Sequence, residues 1–372
     1  MSDKSYFSVS YDLIQKNKKL PYDLYVNSSS VEDKQKFVKI FPAGGILDVP
    51  DLESFKKKYF QLYLDENQRH IYMRSLVDSD ERDDVQTTNF IKDSAVQYLH
   101  KIFDAGKEFN TELLSETIGE CRGAVESMID VFDKKNIDSI TNLIGSLSSH
   151  DFYTFDHSIN VSMYCISILR ALKPNATREE LIHVGLGGLL HDLGKIKIST
   201  NILNSPGGLS EAEYGEIKKH PQFGIDLLTS GEVVVDDDLD LNIIGRVVHE
   251  HHENWDGKGY PNGLNENDIH VYARICTIAD FFDALTTKRS YSDVLSVSKA
   301  IDVMSKFSAT KLDPKLFKAF IGHVDHQKLK NKTPLKLSDK FDPTIPYEKF
   351  PLEEVKAIFD EENFGKIRVA KN

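Results

Sequence analysis

The run HVGLGGLLHDLGKIKI, residues 183–198, sets an imidazole and a carboxylate, His191 and Asp192, side by side in an otherwise apolar stretch. Burying that pair is costly unless hydrogen bonds or a cation compensate it. A second dense cluster, HEHHENWDGKGYP, spans 249–261, and Asp280 stands among apolar neighbours in ARICTIADFFDALT. A fold that brings these segments together is one built around a metal centre.

The bulk of the chain narrows what surrounds that centre. With 372 residues it can bury a large core and form more than one domain. A net charge of −12 argues against a nucleic-acid polymer as partner, although local cations can still hold a phosphate substrate. The three cysteines, Cys121, Cys165 and Cys276, lie far apart in apolar contexts and read as reduced core residues. The N-terminal MSDKSYFSVSYD has no stretch of signal-peptide length, and no run of about 18 apolar residues occurs. The expectation is a cytoplasmic protein with no membrane partner.

The fold class expected is mainly α, with a small N-terminal α/β module over residues 1–80. YDLYV (22–26), KFVKIF (36–41), FQLYL (60–64) and HIYMRSL (70–76) read as strands, and Pro50 opens a short helix in DLESFKKKY. Residues 85–149 read as a helical linker. Its Leu114, Ile118, Cys121, Val125, Met128 and Phe132 form a seam of coiled-coil spacing, suited either to packing within its own domain or to dimerisation. Residues 150–325 are helical in pattern, punctuated by turn signals at Lys173–Asn175, Ser205–Gly208 and Gly257–Gly263, and hold the candidate site. Residues 326–372 are a lysine-rich C-terminal tail ending in the amphipathic LEEVKAIFDEENF.

Within HDLGK, Lys195 follows Asp192 by three positions and His191 by four, so on a helix it shares a face with both. A cation repels a lysine, which makes an anion held at the metal the expected partner of Lys195. One carboxylate has two oxygens, so Asp192 can serve two metals. His157 opens the apolar HSINVSMYCISILRAL, and His220 precedes Pro221 in KKHPQFG. His251 and His252 diverge by about 100° on a regular helix, so they reach one cation only at a helix end, where Trp255-Asp256-Gly257 supplies the turn. His183, His249 and His270 read as ordinary core or surface histidines. Nitrogen and carboxylate donors without thiolate suit iron or manganese better than a structural zinc site.

The order H(x)33HDxGK, HP, HHExxDGxGYP, ARIxxxAD and FDALTxxR resembles the HD-GYP family, a branch of the HD metal-dependent phosphohydrolases. The resemblance covers about 150–325 and implies a helical bundle with a binuclear centre. It implies His157, His191 and Asp280 on one metal, His220, His251 and His252 on the other, Asp192 bridging, and Lys195 beside a metal-bridging hydroxide. Gly259, Tyr260 and Pro261 form the naming loop. The implied activity is hydrolysis of cyclic di-GMP, a bacterial second messenger, to the linear dinucleotide and onward to GMP. A diguanylate cyclase or other signalling partner docking through that loop is also expected, as is a homodimer where the 114–132 seam pairs between chains.

Three departures from the family pattern stand out. Tyr153 occupies the position of a glutamate that accompanies a third metal in some members, so two metals are expected. Lys258 replaces the usual serine of the loop. After Asp280 the chain reads TTKRSYSD, so Arg289 is kept as the phosphate or guanine contact, while Ser290 and Ser292 replace a basic residue for which Lys258 or Lys288 is the substitute. Two readings compete with the phosphodiesterase: a receptor that binds the cyclic dinucleotide with little turnover, and a mononucleotide phosphohydrolase.

Overall fold

The computed structural model describes residues 6–29, 36–77, 84–103, 110–135, 154–203, 209–231, 233–287 and 295–324. The chain forms two compact units, one of residues 1–104 and 116–136, the other of residues 105–115 and 137–372. Tyr153, Lys288, Arg289, Ser290, Ser292 and the tail from 326 lie outside the described residues. Among the described residues no helix is long and apolar enough to cross a membrane.

The first unit is built on an antiparallel sheet of β1 (Tyr6–Val9), β2 (Leu24–Asn27), β3 (Phe37–Phe41) and β4 (Leu62–Asp65), in the order β1-β4-β2-β3. Period-two alternation puts Phe7, Val9, Leu24, Val26, Leu62 and Leu64 on the core face. That face is covered by Leu52 of α1 (Val49–Lys58) and by Tyr72 and Leu76 of α2 (Arg69–Val77). Asp48 caps α1 by accepting from the Asp51 amide at 2.8 Å, and Pro50 sits in its first turn, as the sequence anticipates.

Segment 70–76, expected as a strand, is the helix α2. Tyr72, Met73 and Leu76 are buried one helical turn apart, and that spacing prevails over the β propensity of Ile71 and Tyr72. The strand overlooked is β1, whose YFSV alternates partly buried, buried, exposed, buried.

Within 85–149 the described residues form two helices. The ring of Phe90 in α3 (Asp84–Phe103) meets Tyr72 edge-on at 4.8 Å, and Ser94 receives Arg69 Nη1 at 3.3 Å. In α4 (Thr111–Lys135), Glu126 pairs with both Arg74 and Arg122. Ile118, Cys121, Val125, Met128 and Phe132 are all at most 3% exposed within the single chain, so the seam serves intramolecular packing.

The second unit is helical. Its centre is α6 (Arg178–Leu190), flanked by α5 (Thr154–Leu172), α10 (Leu241–Glu250) and α11 (Val271–Thr286). Every residue from Leu181 to Leu190 is buried, the mark of a helix enclosed on all sides. Its N-terminus is fixed by a capping box, Thr177 with Glu180. At Gly188 a Cβ would sit 3.0 Å from Cys165 Sγ and 3.1 Å from Ser162 Cα, so the glycine lets α5 approach closely. After α6 come a 3-10 turn (Leu193–Lys197), the short α7 (Thr200–Leu203), α8 (Glu211–Ile217) and α9 (His220–Leu228); α12 (Val297–Ser305) and α13 (Pro314–Val324) follow α11.

Candidate metal centre

Three histidines occupy helix ends. His191 is the C-cap of α6, His251 is the C-cap of α10, and His220 lies three residues past Ile217, the last residue of α8. The last carbonyls of a helix have no partner inside it, and each ring uses one. His191 Nδ1 lies 2.7 Å from Gly188 O, His220 Nδ1 2.8 Å from Ile217 O, and His251 Nδ1 2.9 Å from Val248 O. A carbonyl only accepts, so Nδ1 carries the proton and Nε2 presents a lone pair. The C-terminal ends of α6 and α10, at His191 and His251, carry the negative pole of a helix dipole to one place, an arrangement that favours cations.

The lone pairs converge. His220 Nε2 and His251 Nε2 are 3.2 Å apart, and Asp192 reaches His191 Nε2 through Oδ2 and His220 Nε2 through Oδ1, both at 3.4 Å. Donors sharing an octahedral cation at about 2.1 Å stand about 3 Å apart. Single donor atoms of His157, His191 and Asp280 lie within 4.8 Å of one another, as do those of His220, His251 and His252, and those of His191, Asp192 and His251. Burial, the leading cause, holds His251 and His252 well below the usual histidine range and His220 down to about 4. These rings are neutral ligands at pH 7.

His157 differs. Burial pushes it down, but hydrogen bonds to Asp280 and Asp283 outweigh that and lift it to about 9. Its Nε2 is 3.1 Å from Asp280 Oδ1 and its Nδ1 2.7 Å from Asp283 Oδ2. Asp280, pushed up by burial, is carried down to about 2 by His157. For Asp192 the burial effect is outweighed by Lys195, His191 and His220, and its carboxyl lies well below the usual range.

The helical reading of HDLGK needs correction. At Asp192, φ −92° and ψ 7° end the α-helix, and Lys195 falls in the 3-10 turn, where positions three apart eclipse. Lys195 Nζ donates to Asp192 Oδ2 at 2.6 Å, so its partner here is the carboxylate itself.

The loop after His252 wraps around Glu253, which is 1% exposed and accepts from the amides of Asn262 at 2.7 Å and Leu264 at 3.0 Å. Backbone bonds from Trp255 to Lys311 and from Asp256 to Thr310 tie the same loop down. Gly259 packs so closely on Glu253 and Asn254 that a Cβ has no room, and the Tyr260–Pro261 bond is cis. Tyr260 stacks on His252 at 4.7 Å between ring centres. Lys258, by contrast, is 81% exposed, with its Nζ 3.1 Å from Asp256 Oδ2.

His183 accepts from the Asp240 amide, His249 meets Gln222, and His270 caps α11 by accepting from Tyr272 N. Sequence reasoning missed two supporting carboxylates. Asp283 takes His157 on one oxygen and, on the other, Asn160 Nδ2 at 2.9 Å and Thr287 Oγ1 at 2.7 Å. The signal was present, since Asp283 follows Asp280 by three positions and shares its helix face. Glu253 carried no comparable signal, because its neighbours His251 and His252 already accounted for the cluster.

Residues 142–316 match the family described as HD domain. Over 179 residues the chain is 36% identical to a Pseudomonas aeruginosa protein named cyclic di-GMP phosphodiesterase, an alignment covering 48% of this chain and 41% of that one. Over 214 residues it is 28% identical to a Vibrio cholerae protein named 3′3′-cGAMP-specific phosphodiesterase 2, covering 58% of this chain and 40% of that one. The chain thus spans about two fifths of the length of these curated relatives. An HDG"Y"P protein of Bdellovibrio bacteriovorus superposes with a TM-score of 0.51 at 18% identity, covering 88% of this chain and 100% of that one, which shows a shared fold. The similarity to the HD domain family thus extends over residues 142–316, just under half of the chain.

Proposed function

We propose that this centre is a cyclic-dinucleotide phosphodiesterase worked by two divalent cations. The observation that carries the reading is the buried pair His220 Nε2 and His251 Nε2, two unprotonated nitrogens facing each other at 3.2 Å. Two lone pairs repel at that distance, and a shared cation turns repulsion into coordination. His157, His191 and Asp280 would hold one cation and His220, His251 and His252 the other, and Asp192, beside both His191 and His220, would contribute to each. A donor set without thiolate supports iron or manganese. Such cations supply Lewis acidity to phosphate oxygens and lower the pKa of water at the site.

The chain's own groups do the rest. Lys195 orients the Asp192 carboxylate and adds positive charge where phosphate oxygens become more negative in the transition state. Asp283 fixes the tautomer of His157, as the Gly188, Ile217 and Val248 carbonyls do for the other rings. Water adds across one P–O bond, the phosphorus gains its oxygen, the ribose oxygen leaves with a proton, and the ring opens to a linear dinucleotide. The relatives' names, one for cyclic di-GMP and one for 3′3′-cGAMP, support the substrate class.

The test uses chain purified without oxygen, metal counting by elemental analysis, and chromatography of products from cyclic di-GMP and 3′3′-cGAMP. About two metals per chain and a linear product within minutes are expected, both lost in Asp192→Ala. Bound dinucleotide that is never cleaved would make the protein a receptor instead.

A further inference from the structure

We propose that Lys218 is a specificity-determining residue that receives the second phosphate of the cyclic dinucleotide. This inference rests on the phosphodiesterase reading above. A cyclic dinucleotide carries two phosphates, and only one can lie over the cation centre. Lys195 is engaged with Asp192, and Lys258 is exposed and paired with Asp256. Lys288 and Arg289 lie outside the described residues, and among the described ones a further cation stands beside the site.

Lys218 stands there. Its Nζ lies 4.4 Å from the ring centre of Tyr214 and 5.8 Å from that of Tyr260. Tyr260 in turn stacks on the ligand candidate His252, 4.7 Å between centres with an interplanar angle of 25°. A continuous ladder, His252–Tyr260–Lys218–Tyr214, thus leads outward from the metal centre. Lys218 is partly buried, and among the described residues no carboxylate pairs with it, whereas adjacent Lys219 is half exposed and bound to Glu216 at 2.6 Å. Aromatic faces hold an ammonium in place without neutralising it. A lysine positioned in this way is held ready for an incoming anion.

The test compares wild type, Lys218→Ala and Lys218→Arg, all manganese-loaded and of equal metal content, on cyclic di-GMP and on bis(p-nitrophenyl) phosphate. The second diester has one phosphate and no base. Lys218→Ala is expected to raise KM for cyclic di-GMP about 10-fold with kcat within about 3-fold, to leave kcat/KM for the simple diester unchanged, and to be largely rescued by arginine. Equal losses on both diesters, or no loss on the dinucleotide, would overturn the proposal. If wild type cleaves neither diester, the hydrolase reading fails separately. Lys218 is then judged by equilibrium binding of cyclic di-GMP, where about 10-fold weaker binding by the alanine variant upholds the role and equal binding, or none by wild type, overturns it.

Discussion

Replacing Asp283 by asparagine should disable one half of the metal centre and spare the other. Asp283 is fully buried, and its Oδ1 accepts from Asn160 and Thr287 while its Oδ2 faces His157 Nδ1 at 2.7 Å. Asn160 and Thr287 continue to need an acceptor, so the new amide keeps its oxygen towards them and turns its NH2 to His157. Nδ1 must then accept, which leaves Nε2, the atom 3.1 Å from Asp280 Oδ1, as the nitrogen that holds the proton of the neutral ring. A protonated Nε2 cannot ligate. Losing an outer partner of a metal-binding histidine costs about 10–100-fold in affinity, or about 1.4–2.7 kcal/mol. The metal-free chain keeps the His157–Asp280 hydrogen bond, so its unfolding midpoint should move little. Competition of manganese against a chromogenic chelator, with metal counted per chain, resolves the two cations. One should weaken by about 10–100-fold and the other by less than about 3-fold. Equal weakening of both, or of neither, would refute the tautomer argument.

Glu253→Gln presents an NH2 to one of the two amides, Asn262 or Leu264, that now share a buried carboxylate. A loss of about 1–3 kcal/mol in denaturant unfolding is expected, with a higher KM for the dinucleotide and unchanged metal content; an unaltered midpoint would show that the loop does not depend on that carboxylate. Gly194→Ala drives a methyl into the His220 carbonyl oxygen and the Gly224 amide, both of them backbone. A cost of about 3 kcal/mol, read as a lower thermal midpoint and poorer metal retention, is expected, and wild-type values for both would contradict the packing described at this turn.

The helical character of 154–324 was legible because its signals are local: capping residues such as Thr177 with Glu180, turn residues, and apolar spacing near 3.6. The histidines too were legible, being too dense to be accidental. Segment 70–76 was not, since Ile71, Tyr72 and Met73 favour a strand locally and only the sheet beneath decides for a helix. Lys195 was placed on the correct side of Asp192 but on the wrong kind of turn, because a helix end at His191 is set by backbone geometry that HDLGK does not spell out. Asp283 and Lys218 act through His157 and Tyr260, residues 126 and 42 positions away, and no pattern within one segment reveals a contact of that range.

Three of the imidazoles take their aim from a carbonyl only three residues back, whereas His157 takes its aim from the far end of the domain. Short-range aim persists as long as a single helical turn does; long-range aim vanishes once α5 loses its seat against α11. A partly opened chain would therefore lose the orientation of the His157 ring while the rings of His191, His220 and His251 kept theirs.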